Sequence, residues 1–414
     1  MNKKKLLVYA HYFYPDVAST GQILTELCCG LEEYFEITVI CAIPSYSGKI
    51  NKKYKEKKEY IEKFSRNIKV IRVWVPEFEK KNKLSRIKNL VTYFLNSVRA
   101  TFKLSKQDYI FTISQPPILG GILGVIGKWI KGGKLIYNIQ DFNPEQTMAV
   151  GYSKNKIILG GALLLDKFTC RRADNIIVVG RDMQETLKRR FSYNRVPQNT
   201  YINNWINEKE IIPMENSNEK VNLFKSKYNL HDKFIIMYSG NIGLYYDLEN
   251  IIKVLEEFKD CNDVVFPFVG EGTVKDNIES YVKEKSIHNV IFIPYQKKED
   301  LVYSLNAADV HWVVNAKGIK GISVPSKLYG VMAVGKMVLG VLEKGSEARM
   351  IIEESDCGVC IEPGDYNGIG NAIRNLIRNR EGVDKKGKNG REYLERNLTK
   401  EVSINKYKES ILKL

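Results

Sequence analysis

The sequence predicts an α/β protein of two Rossmann-like, doubly wound parallel-sheet domains facing a cleft. Three observations carry this. The 414 residues amount to two or three domains of ordinary size. Short, continuously apolar runs alternate with helical periodicity, the way strands buried on both faces of a parallel sheet read. The alternation stops at a polar stretch, Asn207–Asp232, and then restarts. The expected division is residues 1–200, residues 201–390, and a closing charged helix over 391–414 that is free to pack back on the first domain.

In the first domain Lys5–Ala10 reads as a buried strand and Gly21–Glu33 as an amphipathic helix. The runs Thr38–Ile43, Val70–Val75, Tyr109–Ile113, Lys134–Ile139 and Asn175–Val179 follow, with a helix over Leu119–Ile130. Lys52–Lys58 is too charged for a core and reads as an exposed loop. Within Lys80–Leu104, Leu84, Ile87, Leu90, Val91, Phe94, Leu95, Val98 and Phe102 recur at helical spacing. They are interleaved with Lys81, Lys83, Arg86, Lys88, Arg99 and Lys103, the form of a basic amphipathic helix. In the second domain the strands are Phe234–Tyr238, Val264–Val269, Val290–Ile293, Val310–Val314 and Met337–Val341. Helices are expected over Asp247–Phe258, 274–286, 298–307 and Lys327–Val334, and a charged helical pattern closes the chain over Glu392–Leu414.

Composition narrows the classes. Hydrophobic residues at 44% and charged residues at 27% exclude a disordered or low-complexity chain. Seven cysteines in this length are no disulfide framework. The lone Cys357-Gly-Val-Cys360 lacks the second ligand pair a zinc site wants and reads as small residues at a strand edge. Met1-Asn-Lys-Lys-Lys precedes only five apolar residues, so no signal peptide is expected. The longest apolar run, Pro116–Gly127, stops at Lys128, short of the ~20 residues that span a bilayer. A cytoplasmic protein is expected. The net charge of +16 is one-sided: residues 1–200 hold 34 Lys and Arg against 17 Asp and Glu, whereas residues 201–414 hold 30 against 31. No nucleic-acid recognition motif accompanies the basic half, so nucleic acid is not the expected partner.

The chemistry lies in turns that follow apolar runs. Tyr238-Ser-Gly-Asn-Ile-Gly243 joins a strand to a helix, and Gly240, Asn241 and Gly243 either bring backbone N–H groups to a phosphate or form a plain turn. Val269-Gly-Glu-Gly272 ends the next strand, where Gly270 and Glu271 either face a flat ligand or make a tight turn. Two such turns at the carboxyl ends of adjacent parallel strands line the crevice where open α/β sheets bind ligands. In Ser323-Val-Pro-Ser-Lys-Leu-Tyr-Gly330, Pro325 and Ser326 signal a helix start, with Pro325 at the first helical position. Lys327 in that first turn opposes the helix dipole and makes sense beside a bound anion, the alternative being a solvated lysine. In the first domain Thr20, Gly21 and Gln22 follow one strand, and Gln140-Asp141-Phe-Asn-Pro-Glu145 follows another. Asp141 and Glu145 are candidate acid–base or hydroxyl-orienting groups, or Asp141 caps the following helix. His11 ends the first strand and is either structural or a ligand contact. His231, His288 and His311 are scattered and no Asp-x-Asp occurs, so no metal site is expected.

Taken in order, Tyr238–Gly243, Val269–Gly272, Asn306-Ala-Ala-Asp309, Val324–Lys336 and Gly345-Ser-Glu347 resemble the carboxyl-terminal domain of GT-B glycosyltransferases of family 4. The branch is that of WbuB- and WcaI-like polysaccharide enzymes. The first half resembles the same family through Tyr-Pro-Asp16, Thr20-Gly-Gln22, Pro44-Ser-Tyr46, Gln140-Asp141 and Pro144-Glu145. The resemblance implies a retaining glycosyltransferase without an essential metal or other cofactor. Its second domain would bind a nucleoside-diphosphate sugar, with UDP the default, and its first would bind the acceptor. Gly240–Gly243 would then face the diphosphate or sugar, Glu271 the base and ribose side, Pro325, Ser326 and Lys327 the nucleotide pocket, and Glu347 a hydroxyl, with Gly270 and Tyr295 also among the residues binding the nucleotide-sugar. His11, Thr20, Gly21 and Gln22 would face acceptor or sugar. Three departures stand out. The family's pair of glutamates is absent, with Gly330 and Ile322 in their places; its basic pair after the glycine turn is replaced by Leu244-Tyr-Tyr-Asp247; and its histidine before Asp141 is Gln140. These leave Lys327 as the cation for the diphosphate and Asp141, then Glu145, as the acid–base or orienting groups.

A nucleotide-sugar epimerase of the same architecture and a non-catalytic subunit are the competing readings, and the epimerase gives the first domain no reason to be basic. That asymmetry is expected if residues 80–104 rest on an anionic membrane surface, placing the enzyme peripherally on the inner face of the plasma membrane to meet a lipid-linked or growing glycan acceptor.

Overall fold

The computed structural model describes residues 3–16, 18–79, 82–151, 155–215 and 217–414. The chain divides into two compact units: residues up to Asn203 together with Glu401–Leu414, and Asn204–Lys400. The first unit runs β1 (Lys4–Ala10), α1 (Ser19–Leu31), β2 (Phe35–Ala42), β3 (Glu59–Lys63), β4 (Ile68–Val73), α2 (Lys83–Phe102), β5 (Tyr109–Ile113), α3 (Leu119–Lys131), β6 (Lys134–Ile139), α4 (Glu145–Ala149), α5 (Lys156–Arg172), β7 (Asn175–Val178), α6 (Arg181–Arg190) and β8 (Asn199–Tyr201). Its eight strands stand in the order β3-β4-β2-β1-β5-β6-β7-β8. All pairings are parallel except β3 with β4. Leu6–Ala10 and all of β5 are buried, because helices cover both faces and leave no residue of these strands for water.

The second unit runs α7 (Glu219–Lys227), β9 (Phe234–Ser239), α8 (Leu248–Leu255), β10 (Val264–Val269), α9 (Lys275–Glu284), β11 (Val290–Ile293), α10 (Leu301–Asn306), β12 (Val310–Val314), α11 (Lys327–Ala333), β13 (Met337–Val341), α12 (Glu347–Ser355), β14 (Gly358–Ile361), α13 (Tyr366–Arg378) and α14 (Val383–Asn397). The sheet order is β11-β10-β9-β12-β13-β14, all parallel. One face packs Ile236, Phe266, Trp312 and Leu339 against α8 and α13. The other packs Val313 and Val338 against α11 and α14. Asn218 caps α7 by accepting from Lys220 and Val221 N–H, the role its residue type favours.

Several expectations change. The expected break at 390 falls inside α14, which belongs to the second unit. The last helix, α15 (Lys400–Leu412), is separate and packs on the first: Asn138 Nδ2 donates to Tyr407 Oη at 3.0 Å and Asn175 Nδ2 to Ser410 Oγ at 2.8 Å. The polar linker carries α7. Lys52–Lys58 contains a short helical turn over Lys52–Tyr54 that buries Tyr54. Helix α2 has its polar side inward. Asn89, Tyr93, Ser97 and Thr101 are buried, whereas Leu84, Ile87, Val91, Leu95 and Phe102 are exposed. Asn89 and Asn96 bind the backbone carbonyls of Pro76 and Trp74, and Thr101 bonds Tyr9, which gives these inward polar side chains their partners. Lys80 and Lys81 lie outside the described residues.

Candidate active site

In an open parallel sheet the ligand crevice lies at the carboxyl ends of strands where the order reverses. In the second unit that point is between β9 and β12. The loops leaving those strands meet there: Ala316 N–H donates to Tyr245 O at 2.7 Å. Lys327, at the start of α11, reaches between two rings, with Nζ 4.0 Å from the centroids of both Tyr238 and Tyr246. Nζ donates to Tyr238 Oη at 2.6 Å, and Tyr238 Oη donates onward to Asn241 O at 2.5 Å. A Cβ added at Gly240 would stand 3.3 Å from Nζ, so the glycine turn and the ammonium are in contact. The side chain is only partly exposed and no carboxylate among the described residues pairs with it. Burial pulls its pKa from 10.5 down to about 7. The expectation of either an anion-facing or a solvated lysine thus resolves to an enclosed one.

The glycine motifs also have a packing job. Gly240 and Gly270 have φ of 144° and 146°, open to glycine alone. A Cβ at Gly270 would stand 1.9 Å from Gly240 O, and one at Gly272 2.0 Å from Ile242 O. The small residues therefore let the two loops pass each other. Gly240 N–H donates to Val269 O and Ile242 N–H to Glu271 O, both at 2.9 Å. This leaves the N–H groups of Asn241 and Gly243 as the turn's donors toward a ligand. A short helical turn, Leu244–Tyr246, separates the motif from α8, so the helix end expected there stands further on. Tyr295 is exposed and follows β11, and its ring would stand 3.5 Å from a Cβ added at Gly270. Glu271 is exposed and paired with Lys275 at 2.9 Å. Ser326 occupies the N-cap of α11 without a side-chain cap bond, which moves Pro325 one place outside the helix. Glu347 opens α12 at the carboxyl end of β13 and is buried. All the candidates of this unit thus line one edge of one sheet.

The first unit repeats the arrangement. Its order reverses between β1 and β5, and Thr20 Oγ1 donates to Gln115 Oε1 at 2.9 Å across that point. Gly21 packs on the backbone of Tyr12, where a Cβ would stand 3.2 Å away, and Gln22 donates to Glu26. His11 is 4% exposed, between the rings of Tyr12 and Tyr93 at 4.2 and 4.7 Å. Burial lowers its pKa to about 4, so it is neutral and part of the core. Asp141 N–H donates to Ser114 Oγ at 3.4 Å, which holds the turn after β6 to the end of β5. Asp141 does not cap a helix, because α4 begins at Glu145 with Pro144 at its N-cap.

Residues 220–393 match the family model described as glycosyl transferases group 1. The chain is a glycosyltransferase with a group 1 domain. It is 27% identical over 337 residues to the probable glycosyltransferase WbjE of Pseudomonas aeruginosa, covering 80% of this chain and 81% of the relative. It is 24% identical over 414 residues to the putative colanic acid biosynthesis glycosyl transferase WcaI of Escherichia coli K12, covering 97% and 98%. Its fold matches sucrose-phosphate synthase from Thermosynechococcus elongatus with a TM-score of 0.76 at 16% identity, over 99% of both chains. Anabaena HepE in complex with UDP and glucose matches with a TM-score of 0.69 at 15% identity, again over 99% of both chains. The GT-B fold and the family resemblance read from the sequence are borne out.

Within this glycosyltransferase Glu145 needs revision as an acid–base group. Arg190 grips it in two prongs, Nε to Oε1 and Nη2 to Oε2, both at 2.6 Å. Arg190 also binds the buried Asp166 and Asn143 O, and Asp166 accepts from Tyr137 Oη. Both carboxylate oxygens of Glu145 are thus taken up by Arg190, which leaves Asp141 as the candidate. Two glycosyltransferase residues escaped the sequence reading. Tyr246 became visible only through its ring against Lys327. Arg190 became visible only through its grip on the 141–145 turn, 45 residues away in sequence.

Proposed function

We propose that this glycosyltransferase moves a sugar from a UDP-sugar to a lipid-linked or growing glycan acceptor in cell-surface polysaccharide synthesis, retaining the anomeric configuration. The observation that carries the reading is Lys327. It is an ammonium enclosed by two tyrosine rings, unpaired with any carboxylate among the described residues, at the reversal point of the second sheet and against Gly240. A site of this kind suits a diphosphate. The relatives named for polysaccharide work and the HepE complexes with UDP and with UDP-glucose support the same chemistry.

In this reading Lys327 and the N–H groups of Asn241 and Gly243 stabilise the leaving diphosphate, fixed charges and dipoles that need no reorganisation during the reaction. Tyr295 offers its exposed ring to the base and Glu271 its carboxylate to the ribose side, and Glu347 marks the sugar end of the same edge. The bond between the anomeric carbon and the diphosphate oxygen breaks, and the acceptor oxygen bonds to that carbon on the same face. The acceptor proton passes to the departing phosphate oxygen. Asp141 orients the reacting sugar or acceptor hydroxyl. No resident metal or further cofactor takes part.

The acceptor reading rests on the basic first half. No helix among the described residues is long and apolar enough to cross a membrane. Helix α2, by contrast, presents Leu84, Ile87, Val91 and Leu95 outward among Lys83, Arg86 and Lys88, and lies on an anionic leaflet at the inner face of the membrane. The test is incubation of the enzyme and membranes with UDP- and GDP-sugars, with products identified by mass spectrometry and their anomers by NMR. A retained-configuration glycolipid made from a UDP-sugar is expected. Hydrolysis or epimerisation of the donor alone, or UDP binding without transfer to any acceptor, overturns the reading.

A further inference from the structure

Helices α2, α3 and α5 lie side by side on one face of the first sheet. Lys131 Nζ on α3 donates to Phe102 O and Leu104 O at the end of α2, and Lys128 Nζ donates to Arg172 O at the end of α5. The outward side of α5 is apolar, although nothing in the sequence reading marked it. Ile157 is 87% exposed, and Ile158, Leu164 and Leu165 are 65%, 69% and 50% exposed. They recur at helical spacing on the side of α5 away from its buried Leu159, Asp166 and Cys170. Between α5 and α2 stands Trp129 of α3, 62% exposed and edge-on to Phe168 of α5. This is a second apolar ridge, parallel to the exposed ridge of α2.

We infer that α2, α3 and α5 together form one docking face for an anionic bilayer, in which Ile157, Ile158, Leu164 and Leu165 of α5 enter the leaflet beside the ridge of α2. The inference rests on the membrane-borne acceptor proposed above and adds the surface that meets the membrane. Charge decides the occupant. The three helices carry ten Lys and Arg and a single acidic residue, Asp166, which is buried against Arg190. A second copy of the chain would bring like charge against like charge, whereas anionic headgroups complement it. Apolar side chains ringed by basic ones are the pattern of a helix lying in the headgroup boundary. Position agrees as well. Crossover helices run antiparallel to the strands they join, so the first turns of α2 and α5 stand at the carboxyl edge of the sheet. Asn89 of α2 indeed donates to Pro76 O, just past the carboxyl end of β4, at 2.7 Å. The apolar ridges thus flank the edge that holds Thr20, Gln22 and Asp141, where a lipid-linked acceptor would arrive.

The test uses the full-length enzyme and vesicles of phosphatidylcholine with or without phosphatidylglycerol. Wild type is expected to float with the anionic vesicles. The variant Ile157→Ser/Ile158→Ser/Leu164→Ser/Leu165→Ser should partition at least tenfold more weakly, with unchanged affinity for UDP. Trp129 emission, read as wild type minus Trp129→Phe, should shift to the blue and be quenched by brominated lipid. This second readout needs no change on α5. If wild type floats but the α5 variant floats equally well, or Trp129 is unquenched, the three-helix face falls while the α2 reading stands. Wild type that ignores anionic vesicles while still making glycolipid removes the docking face and spares the transferase reading. A wild-type dimer that the α5 variant dissolves assigns the ridge to a second copy and overturns the inference.

Discussion

Replacing Lys327 by methionine should stabilise the ligand-free protein and disable the enzyme. Burial pulls the ammonium from 10.5 down to about 7, which at about 1.4 kcal/mol per pH unit corresponds to roughly 5 kcal/mol of lost hydration. The rings of Tyr238 and Tyr246, each 4.0 Å from Nζ, return about 1 kcal/mol apiece. The remainder, on the order of 3 kcal/mol, is a cost that the folded, ligand-free protein bears near neutral pH and a bound diphosphate removes. Methionine keeps the length of the side chain and discards the charge, so Lys327→Met should raise the midpoint of thermal unfolding. UDP should protect wild type strongly and the variant weakly, since binding to the folded state stabilises by mass action. Transfer should fall ~10²-fold or more, the scale of losing one preorganised charge, and Lys327→Ala should lose as much. The pH dependence has a definite sign. The lysine is charged below about pH 7, so kcat/KM should decline as pH rises through 7, and donor binding at pH 8 should take up a proton, visible as a buffer-dependent heat. For stability, the depressed value means that unfolding binds a proton between pH 7 and 10.5, so wild-type stability gains with rising pH and the Met variant shows no such gain. A variant that melts lower than wild type and transfers at near-normal rate would refute both the enclosed-charge argument and the role in the reaction.

The other predictions separate chemistry from scaffold. Asp141→Asn should cut transfer ~10²-fold with an unchanged melting temperature, whereas Glu145→Gln should cost about 2 kcal/mol of stability by loosening the Arg190 grip and leave the pH profile in place; the reverse pattern would exchange their roles. Gly270→Ala should cost on the order of 3 kcal/mol, because the new Cβ would lie 1.9 Å from Gly240 O in a backbone conformation foreign to alanine; urea unfolding measures it. His11, held down to about 4, must take up a proton when the chain unfolds in acid, so the stability it confers is full above 6.5 and lost as pH falls toward 4. His11→Phe should therefore remove roughly 2–3 kcal/mol of the difference between urea melts at pH 7 and pH 4.5.

What the sequence disclosed follows from how local each signal is. Buried parallel strands such as Leu6–Ala10 and Phe234–Tyr238 announce themselves, because burial on both faces leaves them continuously apolar. Strand β3 does not, since Glu59-Tyr-Ile-Glu-Lys63 is a polar edge read through its partner alone. The periodicity of α2 was legible but its orientation was not. Spacing names a stripe, and only the polar contacts of Asn89, Asn96 and Thr101 turn that stripe outward. Helix α5 escaped altogether. Asn306-Ala-Ala-Asp309 carries part of the family resemblance, and the structure gives it a scaffold role: Asn306 holds Met214 N and Ile212 O, and Asp309 accepts Ile235 N–H. In the site, the turns were legible as turns. That Gly270 makes room for Gly240, or that Tyr246 encloses Lys327 from 81 residues away, depends on proximity that no local pattern encodes.

The departures from the family pattern now read as one rearrangement. Where the family carries a basic pair after the glycine turn, this chain has Leu244-Tyr-Tyr-Asp247, and the ring of Tyr246 from that segment encloses the cation supplied by α11. A carboxylate partner would bind the ammonium more tightly and would have to be displaced by the donor. Two rings hold it with about 1 kcal/mol each and surrender little when a diphosphate arrives. Tyr238 adds a second link, because burial keeps its phenol protonated and its hydroxyl joins Lys327 to the carbonyl of Asn241, so the cation and the turn move as one. Nor does packing forbid the family's glutamate. Gly330 lies in ordinary helical conformation, and a Cβ there would meet only Leu305 at an unstrained 3.6 Å. Neither backbone strain nor a close contact requires glycine at that position, so in the proposed reading the missing carboxylate belongs with the tyrosine-held lysine as one difference in how the donor would be gripped.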